Sequence, residues 1–144
     1  MVGIPENLFQ PGKLSKDGFF GNDRRPIEEI IRIDLDTLQR FGKDQEKVAE
    51  SLKKIMDEGK ARLEGEVDTQ GTVLSVRWDR GMLPCPFGES GLHPKIFAEL
   101  SFPLTGKRIY FSQLSIHMIR KHGFFGGKGS PFRLEPEELV QLIH

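Results

Sequence analysis

Cys85, His93, His117 and His122 lie in the second half of this 144-residue chain, and His144 is its last residue. Thiolate and imidazole are the preferred protein ligands of zinc, and a structural site takes four of them in a tetrahedron. A hairpin followed by a helix bearing two histidines also has the outline of a zinc finger. Two features count against that outline. A finger knuckle brings two cysteines, and Cys85 is the only one here. On a straight helix His117 and His122, five residues apart, are separated by about 140° around the axis. Gly123 gives partial relief, because a glycine stop lets the last turn unwind under His122.

Other roles suit the same residues. A helix C-terminus favours a histidine at position 122 through the dipole alone. His117, with Leu114 and Met118 flanking its face, reads equally as a satisfied core histidine. His93 before Pro94 reads as a turn residue, and Cys85 as a small buried hydrophobe. A catalytic variant is a Cys–His pair, with Cys85 as nucleophile and His117 or His122 as base. A His-Asn-His nuclease fits poorly, since the only asparagines are Asn7 and Asn22.

A second constellation is basic. Between Lys107 and Arg133 stand Lys107, Arg108, Arg120, Lys121, Lys128 and Arg133, with no Asp or Glu. The glycine-rich run Gly123–Ser130 lies inside that window. It is not a P-loop: with Lys128 as the lysine, His122 occupies the first glycine position and Gly129 the hydroxyl position. A looser anion site of Arg120, Lys121, Gly127, Lys128, Ser130 and Arg133 remains, with glycine amides forming a nest. Phe124, Phe125 and Phe132 can stack nucleic-acid bases beside those cations or serve as core plugs. The bland alternative has Glu135, Glu137, Glu138 and the first helix neutralise the window.

The elements that must position these residues divide the chain near residue 66. Residues 1–25 read as an irregular arm anchored by Phe9, Phe19 and Phe20. Residues 26–65 read as two helices. Pro26 suits the first helical position, Glu28 and Glu29 the first turn, and Ile27, Ile30, Ile31, Leu35, Leu38 and Phe41 make an apolar stripe ended by Gly42. Asp44 caps the next helix, whose stripe is Val48, Leu52, Ile55 and Met56, and Gly59 and Gly65 bracket its end. Residues 66–144 mix strands and helices. Thr72–Trp78 has strand propensity, and Ile96–Leu100 and Lys107–Phe111 flank a Pro103–Gly106 loop as a hairpin. Ser112 caps a helix through His122, Pro131–Leu134 reads as extended, and Glu137–Ile143 as a last helix. One echo recurs: Asp17-Gly-Phe-Phe-Gly21 and His122-Gly-Phe-Phe-Gly126 each lead toward an acidic helix start.

The fold expectation is therefore α+β, with the arm and two amphipathic helices packed on a small antiparallel sheet and short helices at the C-terminal end. The 21 basic and 21 acidic residues cancel, which excludes a global basic field for nucleic acid but allows a local phosphate or nucleic-acid contact. Zero net charge also permits a homodimer sealed by one of the helix stripes. A single cysteine excludes an intramolecular disulfide, the first residues carry no apolar signal-peptide core, and no apolar run is long enough to span a membrane. A cytoplasmic location is expected on those grounds. The functional expectation is a non-enzymatic ligand- or partner-binding domain with zinc or an anion bound in its C-terminal half. The alternative is a small enzyme using metal-assisted or Cys–His chemistry there.

Overall fold

The computed structural model describes residues 19, 21–61, 65–69, 72–87 and 91–142. The expectations for Phe9, Phe20, most of the arm, Ile143 and His144 lie outside them. The architecture is α+β, with four helices and one antiparallel sheet among the described residues. Helix α1 spans Ile27–Arg40 and α2 spans Gln45–Ala61. Strands β1 (Gly65–Thr69), β2 (Thr72–Pro84), β3 (Leu92–Phe102) and β4 (Lys107–Ser112) pair in sequence order. Helix α3 spans Gln113–His122 and α4 spans Pro136–Leu142.

Local chemistry accounts for most boundaries. The carbonyl of Pro26, the residue before α1, accepts from the Ile30 amide, so the proline stands one place earlier than the sequence predicts. Ile27, Ile30 and Leu38 are buried as expected, but Phe41 is exposed because it is the cap residue beyond the last turn. The Asp44 carboxylate accepts from the Lys47 amide and opens α2. Ser112 and Ser115 form a reciprocal capping box at the start of α3, and Gly123 closes it in the left-handed region at φ 67°.

Helix α2 ends at Ala61, between Gly59 and Gly65 as the sequence predicts, with Gly59 inside the helix and Gly65 opening β1, a strand that no local signal marks. Three expectations need correction. Strand β2 runs past Trp78 to Pro84. Between the pairs Trp78–Ile96 and Met82–Pro94 it spends four steps where β3 spends two, a bulge at Gly81 that masks the alternation. His93 is a strand residue opposite Leu83, not a turn residue. Residues 131–134 form a turn and irregular chain.

Strand alternation separates two buried clusters. Leu74, Val76, Ile96, Ala98, Leu100, Ile109 and Phe111 pack with the apolar faces of α2 and α3. Phe97 falls in the other cluster with Phe19, Leu83, Cys85, Leu114, Met118, Phe124 and Phe132. The two aromatic–glycine echoes meet there. The Gly127 amide donates to the Phe19 carbonyl at 2.8 Å, the Asn22 amide donates to the Lys128 carbonyl at 2.9 Å, and the Phe19 and Phe132 rings are 5.4 Å apart. The described end of the arm therefore packs on the body, with Phe19 fully buried.

Candidate metal centre

Three of the four sequence-predicted ligands converge. One donor atom each from Cys85, His117 and His122 lies within 4.8 Å of the other two, and Cys85 Sγ is 3.8 Å from His122 Nε2. The convergence follows from topology. Cys85 directly follows β2, whose last pairs run against the start of β3. Strand β4 lies beside β3 and passes straight into α3, which carries its last turn toward the end of β2. Tertiary placement thus overcomes the angular separation of His117 and His122 on the helix: their rings stand 5.6 Å apart at 76°, and the sulfur stands within reach of both.

Neighbouring rings hold each imidazole. Phe87 stacks on His122 at 4.0 Å with planes 8° apart, and its edge meets Phe124. His93 packs against His117 at 4.4 Å between centroids. The four-residue set therefore resolves into a triad and an adjacent histidine, since the mutual 4.8 Å limit is met by Cys85, His117 and His122 alone among the described residues. Cys85 is 2% exposed, whereas both triad histidines are half-buried. Nothing in the sequence pattern marked Phe87 as part of this arrangement beyond its closeness to Cys85.

The sequence-predicted anion residues fall into two groups, Arg120 and Lys121 on α3, and Gly127, Lys128, Ser130 and Arg133 in one loop where the Ser130 amide donates to Gly127 and the Arg133 amide to Ser130. Arg120 pairs with Glu46 and Glu50 of α2, and with Lys121 it borders a cavity between α2 and α3. Arg133 lies by α1 and α4 instead. Its guanidinium donates to both oxygens of Asp34 at 2.5 and 3.0 Å, to Glu135 and to the Gly126 carbonyl. Burial opposes its charge, yet these carboxylates raise the Arg133 pKa still further above the usual arginine range. Glycine-loop amides donate within the chain: Gly127 to Phe19, Ser130 to Gly127, and Lys128 to the Asp23 carboxylate at 3.1 Å. The carboxylate in the nest is thus the protein's own. Hydrogen bonds from the Arg25 guanidinium, aided by the Lys128 and Arg25 amides against the effect of burial, hold Asp23 far below the ordinary carboxylate range. Phe124 and Phe125, each 1% exposed, are core residues, not stacking platforms.

No helix among the described residues is long and apolar enough to cross a membrane. Comparison with protein-family models, with curated proteins and with solved structures finds no match for the chain.

Proposed function

We propose that this chain is a metal-binding domain whose centre is Cys85, His117 and His122, and that its ion is zinc. The observation that carries the reading is the approach of one thiol and two imidazoles to within 4.8 Å from segments more than thirty residues apart in sequence. Tetrahedral zinc with sulfur at about 2.3 Å and nitrogen at about 2.0–2.1 Å needs donors roughly 3.3–3.6 Å apart. The donors would have to draw together by up to about 1.5 Å to bind the ion. One thiolate and two imidazoles suit zinc better than magnesium or calcium, which take oxygen ligands. Three protein ligands leave a fourth position. Bound metal would tie the segment after β2 to the last turn of α3, and a reducing compartment such as the cytoplasm would keep the thiol available.

The second reading rests on the 3.8 Å Cys85–His122 contact, which is the geometry of a nucleophile and its base. The thiol's burial favours the metal reading, because a nucleophile must meet its substrate. Both are decided on protein purified without a histidine tag. Metal analysis is expected to find close to one equivalent of zinc, lost in Cys85→Ser and in His117→Ala, with a lower melting temperature once a chelator removes it. Less than about one tenth of an equivalent, with unchanged stability in chelator, would overturn the metal reading. Rapid stoichiometric alkylation of Cys85 by iodoacetamide at neutral pH would then favour the nucleophile.

A further inference from the structure

A cavity of about 410 Å³ lies beside the proposed centre, between α2 and α3. His117 belongs both to the triad and to the cavity wall, so cavity and centre share a residue. His93, which packs on His117, lines the cavity next to it. The remaining polar wall is strongly cationic: Lys53, Lys60, Arg120 and Lys121 face a single carboxylate, Asp57. Two of those cations are already matched, Lys53 by Asp57 at 2.9 Å and Arg120 by Glu50 at 2.8 Å. Lys60 and Lys121 have no carboxylate partner among the described residues. Gln113 adds an amide at the same wall. The size falls within the range for small-molecule sites, roughly 300–1,000 Å³.

From this arrangement we infer that the cavity binds a small oxyanion, a carboxylate or phosphate group, and that its oxygen fills the fourth coordination position of the metal. This rests on the metal reading. A three-ligand zinc site takes an exogenous oxygen at its open position, and an anion beside a dication and two ammonium groups gains from both. Lys60 and Lys121 grip the distal oxygens by charge-assisted hydrogen bonds.

Cobalt(II) is the probe, because its thiolate charge-transfer and d–d bands report the centre separately from the cavity. Apo-protein is loaded with cobalt and titrated with inorganic phosphate in one arm and acetate in the other. Saturable change in the d–d bands is expected in at least one arm. Response to phosphate alone assigns a phosphate group, and response to acetate alone a carboxylate. In the Lys60→Gln/Lys121→Gln double variant the half-saturating concentration is expected to rise about tenfold with unchanged cobalt stoichiometry. If cobalt binds through Cys85 but neither anion moves the bands, or the double variant responds like the parent, the oxyanion inference is overturned while the metal reading stands. If cobalt does not bind, both fall.

Discussion

At the scale of single residues, the chain states its chemistry by type and conceals it by spacing. Cys85 and the histidines are legible as candidate metal ligands from identity alone. Which of them meet is not, because His93 is two strands from α3 in sequence order yet packs on His117. Charge behaves similarly. Arg133 reads as one of six cations in an acid-free window, but the acid that receives it, Asp34, comes from the buried face of α1. That pair yields a sharp expectation. Arg133→Ala leaves the Asp34 carboxylate buried without its cation and should cost about 3–5 kcal/mol in urea unfolding. Arg133→Met with Asp34→Leu removes both charges and should recover most of the loss. Equal losses in the single and double variants would show that the pair's packing matters more than its charge.

At the scale of elements, propensity and capping located α1, α2, α3, α4 and the β3–β4 hairpin, since each is set by contacts within one stretch of chain. Gly59 marks where local reasoning stops. A glycine inside a helix costs about 1 kcal/mol relative to alanine, so helix propensity offers no reason for one at this position. It is buried in α2 because a β-carbon there would come within 2.2 Å of Val76 Cγ2 and 3.2 Å of Leu74 Cδ2 on β2. Gly59→Ala, which helix propensity alone would favour, should instead destabilise by roughly 1–3 kcal/mol through overpacking. Thermal unfolding of Gly59→Ala beside an exposed helical control such as Glu58→Ala separates the two effects. Higher stability in Gly59→Ala would show that α2 and β2 can move apart freely.

For the whole molecule, acid stability follows from carboxylates that the folded chain holds ionised against neighbouring guanidinium groups. Asp23 is held well below its ordinary 3.8 by Arg25, and Glu135 below its ordinary 4.5 by Arg133. Groups depressed in the folded state bind protons more readily when unfolded, so acid favours unfolding. Their contribution is complete above the unfolded values and is lost as pH falls through the folded ones. Stability measured in chelator, to exclude metal release, should stay level from neutral pH to about pH 5 and decline below about pH 4.5. Asp23→Asn should lower stability at neutral pH and flatten the decline. An unchanged acid slope in that variant would remove Asp23 from the account.

The sequence by itself determined what depends on neighbours along the chain: an α+β class, most helix ends, the β3–β4 hairpin, and the identity of the candidate ligands. Only the tertiary structure decided which ligands converge, that the basic window disperses onto α2, α1 and α4, and that Asp23 occupies the glycine loop. The reason is one of range. A cap or an apolar stripe is written within a few residues, whereas the meeting of Cys85 with His117 and His122 depends on strand register and on how α3 returns across the sheet. Neither quantity is encoded at the positions that finally touch.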